Sequence, residues 1–132
     1  MTGNKGKFSF TARLMSFKYA LRGLLHVLKE EHNIHVHLIA AIVVVIAGVI
    51  FQINRTDWII VFLCIGFVLS AEIMNSAVEK LVDMVSLNRS DMAGIIKNIA
   101  AGAVLVAAII SLIAGLLVFL PYVSAAVKQL LR

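Results

Sequence analysis

Four stretches of this chain carry a regular hydrophobic pattern, and each predicts a helix. Over 10–30, Leu14, Phe17, Leu21, Leu24 and Leu28 recur at intervals of three and four, with Lys18, Arg22 and Lys29 on the other side. That spacing makes an amphipathic helix whose basic face suits an anionic membrane surface. Three longer runs follow at 34–53, 58–85 and 95–120, each reaching the ~20 residues that cross a ~30 Å hydrocarbon core. Pro121 predicts the end of the third. The connections, Asn54-Arg55-Thr56-Asp57 and 86–92, leave no room for a second domain. The expected architecture is all-α: an N-terminal amphipathic surface helix and three transmembrane helices in a single membrane domain over 1–132. A polar start at 1–8 and a tail at 121–132 flank it.

The second long run breaks its apolar pattern on one side only. Glu72, Asn75, Ser76, Glu79 and Asp83 fall at i, i+3, i+4, i+7 and i+11, a single stripe down one helical face. A carboxylate at the bilayer centre costs at least ~2.5 kcal/mol on insertion scales, so the stripe should face a protein interior or a polar cleft and mark a functional site.

Composition agrees with a membrane assignment: 61% of the chain is hydrophobic and 14% charged, with a mean hydropathy of +1.00. No core of 132 residues hides that much apolar surface from water, whereas lipid accepts it directly. The single Cys64 makes no intrachain disulfide, and Met1 to Lys7 shows no leader-peptide pattern. Lys5, Lys7, Arg13, Lys18, Arg22 and Lys29 precede the first long run, and Lys80, Arg89 and Lys97 flank the second connection. Only Arg55, Lys128 and Arg132 are left for the opposite side, so the amino terminus is expected in the cytoplasm and the carboxyl terminus outside. This asymmetry accounts for the net charge of +5, and nucleic-acid binding is not expected.

Counting ~20 residues inward from positions 53, 58 and 120 puts the cytoplasmic boundary near Ile34, Val78 and Ala101. Glu31, Asn33, Glu79, Lys97 and Asn98 gather at that level, and Glu72 lies ~10 Å deeper. Such a site suits an amphiphile whose reactive group is a headgroup hydroxyl. His32, His35 and His37 lack the i, i+4 pair that binds zinc, and Gly94, Gly102 and Gly115 read as helix-packing positions. No glycine-rich phosphate loop of the soluble-kinase kind occurs.

The run from Glu72 to Asp83, Glu-Ile-Met-Asn-Ser-Ala-Val-Glu-Lys-Leu-Val-Asp, resembles the signature E-x-x-N-(S/T)-A-(I/V)-E-x-x-(V/I)-D of the small bacterial integral-membrane diacylglycerol kinase and undecaprenol kinase family. The likeness extends from about Phe17 through Glu31-His32-Asn33-Ile34-His35-Val36-His37 to Lys97-Asn98 and beyond. It implies a homotrimer in the bacterial cytoplasmic membrane that uses MgATP to phosphorylate a membrane lipid alcohol at sites shared between subunits. By the same resemblance Glu72 is the general base, with Asn75 beside it. Glu31 and Glu79 hold Mg²⁺, Lys97 and Asn98 face the nucleotide, and Asp83 and Tyr19 line that side less directly. Asn33 and His37, in a pattern similar to the undecaprenol branch, are expected to hold the lipid headgroup. Two other classes are a small multidrug transporter and a non-catalytic assembly protein. The transporter prefers four spans and a mid-membrane carboxylate, and this chain has neither.

One position departs from the pattern: where the family has Lys-Asp, this chain has Lys97-Asn98, which removes a negative charge at the nucleotide face. Asn98→Asp is therefore expected to raise activity or tighten MgATP binding, read from the KM for ATP at saturating lipid. Loss of activity would show a site adapted to the amide.

Overall fold

The computed structural model describes residues 9–85 and 90–131. The polar start at 1–8, with Lys5 and Lys7, lies outside the described residues, as do Arg132 and positions 86–89 of the second connection, with Arg89. Four helices occur, and among the described residues there is no strand: α1 (Phe10–Glu30), α2 (His32–Ile50), α3 (Arg55–Val85) and α4 (Asp91–Leu130). The chain divides into two compact units, Met1–Glu30 and Glu31–Arg132. The first is the amphipathic helix α1, with Phe10, Phe17 and Leu21 exposed along it. The second holds α2, α3 and α4, all three long and apolar enough to cross a membrane.

In that second unit α3 is central, packing against both α2 and α4. Ile39, Ile46, Leu63 and Leu117 remain exposed, as outward residues of a bundle in lipid do.

Several helix ends differ from the sequence expectation for identifiable reasons. The first span stops at Ile50, three residues early, because Gln52 takes a left-handed conformation at φ 52°. The Gln52 amide then donates to the Val49 carbonyl at 3.2 Å and the Ile53 amide to the Gly48 carbonyl at 3.1 Å, a Schellman closure that satisfies the helix end. Asn54 caps α3, its Oδ1 accepting from the Asp57 amide at 3.0 Å and its Nδ2 donating to the Asp57 carboxylate at 2.7 Å. The second span accordingly starts at Arg55.

The expected stop at Pro121 does not occur: α4 runs unbroken from Asp91 to Leu130, with Pro121 inside it. Proline removes one intrahelical donor, but exposing a whole broken segment to lipid costs several such bonds, so helices in membranes continue through it. At its other end α4 begins earlier than position 95, because the Ser90 hydroxyl accepts from the Ala93 amide at 3.2 Å.

The core of the unit sits at its loop end, near Asn54. Ile53, Val61 and Val118 are buried there, with Phe51, Trp58, Phe119 and Tyr122 packed around them. Polar groups close it: the Tyr122 hydroxyl donates to the Asp57 carboxylate at 2.6 Å and accepts from the Asn54 amide at 3.1 Å. This ties the start of α3 to α4 just past Pro121. The Trp58 ring lies so close to Gly48 that a Cβ there would meet its Cη2 at 2.8 Å.

Gly48→Ala is thus expected to cost ~1–3 kcal/mol of stability, since a rigid indole cannot yield as a flexible chain end would. Reversible unfolding in mixed micelles measures this. Adding Trp58→Leu should cost less in the Gly48→Ala background than in the parent, and equal costs in both would rule out the clash.

Candidate functional site

About seventeen residues from the start of α3, or ~25 Å along its axis, the helix turns polar on one face. Glu72, Asn75 and Ser76 are the buried polar residues among those described, at 2%, 5% and 1% exposure. The Ser76 hydroxyl is used locally, donating to the Glu72 carbonyl one turn earlier at 3.1 Å. The Asn75 Nδ2 donates to Glu79 Oε1 at 2.9 Å, one turn later, which fixes the direction of the Glu79 side chain. The other end of that amide is different: Asn75 Oδ1 is buried and has no hydrogen-bond partner. A buried carbonyl oxygen without a donor costs ~1–3 kcal/mol, so it marks a place where a donor or a cation is expected.

Helix α2 supplies the facing groups. The Asn33 amide hydrogen-bonds the Glu72 carboxylate, and His37, one turn on from Asn33, acts on the same carboxylate electrostatically, as Glu79 and Glu31 do. Asn33 and His37 share a face because they stand four residues apart. Glu31 is the residue before α2, at φ −101° and ψ 115°, and its side chain makes no capping bond to the helix it precedes. Its carboxylate reaches across to α3 and pairs with Lys80 at 2.9 Å. Farther along, Lys97 of α4 pairs with Asp83 of α3, while Asn98 is exposed.

The structure thus brings Glu31, Asn33 and His37 of α2 to Glu72, Asn75 and Glu79 of α3, and joins Lys97 to Asp83. Tyr19 is exposed on α1, in the other compact unit. Sequence reasoning gave Lys80 no place in the site and counted it only toward membrane orientation. Its signal was present, a cation one residue after Glu79 with a carboxylate, Glu31, waiting on the preceding helix.

Glu79 and Glu31 both act on the Glu72 carboxylate, and like charges gathered in this way favour a cation beside them. Among the described residues no group of three or more His, Cys, Asp or Glu side chains is arranged to hold a metal ion. Mg²⁺ does not require one. It typically takes one or two carboxylates, completing its shell with water and substrate phosphate, and the donor set here fits: Glu31, Glu79 and the unpartnered amide oxygen of Asn75 are all hard oxygens.

Beside the polar face, toward the loop end, α2, α3 and α4 enclose an apolar cavity of about 250 Å³. His37, Ala41, Val44, Val68, Ser111 and Gly115 are among its lining residues. Its polar group Ser111 is turned away to the Cys64 carbonyl, to which its hydroxyl donates at 3.4 Å. His37 is the residue common to the cavity lining and to the groups acting on Glu72.

Comparison with known proteins assigns the chain a family. The sequence model of prokaryotic diacylglycerol kinase matches residues 18–119. The chain is 42% identical over 106 residues to the undecaprenol kinase of Bacillus subtilis (strain 168), a match covering 80% of this chain and 86% of that protein. It is 32% identical over 109 residues to a diacylglycerol kinase of Synechocystis, covering 82% of this chain and 62% of that protein, so it spans less than two thirds of the second relative. With the matched region running from α1 to α4 and enclosing the whole polar cluster, the chain belongs to the prokaryotic diacylglycerol kinase family and is a membrane lipid kinase.

Proposed function

We propose that this kinase transfers the γ-phosphate of ATP to the hydroxyl of undecaprenol, at the polar cluster between α2 and α3. The observation that carries the reading is Glu72, a carboxylate at 2% exposure on an apolar helix, faced by Asn33 and His37 of α2, with an apolar cavity lined in part by His37. A lipid alcohol laid along that cavity has its single hydroxyl at Glu72 and its hydrocarbon against Val68, Ala41 and Val44.

In this reading Glu72 accepts the hydroxyl proton as the lipid oxygen bonds to phosphorus and the bond to the departing ADP breaks. Asn33 keeps the carboxylate aimed, and general-base assistance of this kind is typically worth ~10²-fold or more. Glu31 and Glu79, with the Asn75 amide oxygen, are the groups that would hold Mg²⁺, and the cation would supply charge neutralisation to the phosphates. Lys97, oriented by Asp83, meets phosphate oxygens, with Asn98 on the nucleotide side. The cation-rich flanks put this face in the cytoplasm, where ATP is, with the protein in the bacterial inner membrane. Assembly is as a homotrimer, which would cover apolar residues now exposed, such as Val36, Leu105 and Ile109.

Undecaprenol is favoured over diacylglycerol because the cavity lining is apolar and its Ser111 hydroxyl is already turned to the Cys64 carbonyl, which leaves few donors for ester carbonyls. Diacylglycerol brings two such carbonyls, and each left without a donor in a dry site costs ~1–3 kcal/mol. The relative of B. subtilis named undecaprenol kinase supports the same choice.

Glu72→Gln is expected to leave expression and assembly intact and to lower phosphate transfer at least ~10²-fold, since an amide cannot take the proton. Comparable turnover at saturating MgATP and lipid would remove Glu72 from the mechanism. Substrate choice is tested with both lipids at equal mole fraction in mixed micelles. Undecaprenol should be phosphorylated at least tenfold faster, and the reverse order would replace the substrate while leaving a lipid kinase.

A further inference from the structure

We propose that Lys80 is a placeholder cation. Its ammonium pairs with the Glu31 carboxylate, and is released to the phosphates of ATP once a divalent cation takes that carboxylate. This rests on the reading of Glu31 as a metal ligand.

Three observations support it. First, Glu31 stands where a residue caps its helix, yet its carboxylate makes no cap and lies instead 2.9 Å from Lys80 Nζ. Second, the pair is open. Lys80 is 43% and Glu31 23% exposed at the side chain, and a bond of that exposure is weak enough for a divalent cation to displace. Third, Lys80 directly follows Glu79, whose carboxylate is held by Asn75. Lys80 therefore sits at the level of Glu79 on α3, with a long flexible stem, and pairs with the other carboxylate that would hold the metal. When released it is already at the level of both ligands.

The two roles give opposite signs for one substitution. Lys80→Met keeps the length of the stem and removes the charge. If Lys80 competes with the cation, free Mn²⁺ should bind the variant about two- to fivefold more tightly, as expected for loss of a partly exposed ion pair. A nonhydrolysable ATP analogue with Mg²⁺ should bind it more weakly, because the released ammonium no longer meets phosphate. Lys80→Arg should keep both affinities near those of the parent.

The experiment uses the full-length protein in detergent micelles, with Mn²⁺ followed by electron paramagnetic resonance and the analogue by calorimetry. Lys80→Met weakening both ligands together, or leaving Mn²⁺ binding unchanged, would overturn the placeholder role and leave Lys80 a clamp. Glu31→Gln in the otherwise unaltered chain is the separate check on the underlying reading. Mn²⁺ binding that survives it unchanged removes Glu31 as a ligand and takes the proposal with it, whereas its loss confines any failure to Lys80.

Discussion

The Glu72 carboxylate lies in a helix whose other faces are apolar, and a polar group placed there has no water to turn to. It must find partners on a neighbouring helix, and Asn33 and His37 of α2 meet that demand. The requirement sets more than one contact. It decides which face of α2 is turned inward and which level of α2 stands beside Glu72, and through Glu31 it sets where the chain enters the bundle. An apolar helix pair can slide in lipid at little cost, because hydrocarbon is as good a neighbour as leucine. A buried carboxylate with one set of partners removes that freedom.

The same principle explains how the site divides its labour. Groups that hold position are bonded within the protein: Ser76 to the Glu72 carbonyl, Asn75 to Glu79, Asp83 to Lys97. What remains incomplete is the Asn75 oxygen, the Glu31 carboxylate with an exposed cation on it, and the empty apolar space behind His37. Incompleteness in a fold that otherwise satisfies its polar groups is the physical mark of a ligand site. It also bears on Asn98. With Asp83 already paired to Lys97 across α3 and α4, that lysine has a carboxylate partner from another helix.

Much of this could be read from the sequence because membranes simplify the code. Apolar runs of sufficient length have to be helices, since no other isolated segment satisfies its backbone in lipid. The stripe from Glu72 to Asp83 follows from helical periodicity alone, and the spacing of Asn33 and His37 placed them on one face before any contact was known. What escaped was set by interactions between elements. Pro121 reads as a stop in isolation, yet α4 continues because helix is the cheaper state for the residues after it. The end of α2 depends on Gln52 adopting a conformation more usual for glycine, which its residue type does not announce. Lys80 escaped because its meaning lies in Glu31, nearly fifty positions away. The pairing of two distant charges is a property of the packed helices and of neither segment.

The two ties between α3 and α4 have a geometric consequence. Tyr122 meets Asp57 at one end and Lys97 meets Asp83 at the other. The intervals agree closely: Asp57 to Asp83 is 26 positions on α3 and Lys97 to Tyr122 is 25 on α4. At ~1.5 Å per residue both are close to 38 Å, so the antiparallel pair is pinned like a beam at two supports. A single inserted or deleted residue between the pins of α4 would swing everything past it by ~100°, and one of the two ties would have to break. Chain length between them is therefore a fixed dimension of the structure, in the sense that a gauge block is, while no such tie measures the helix beyond Tyr122.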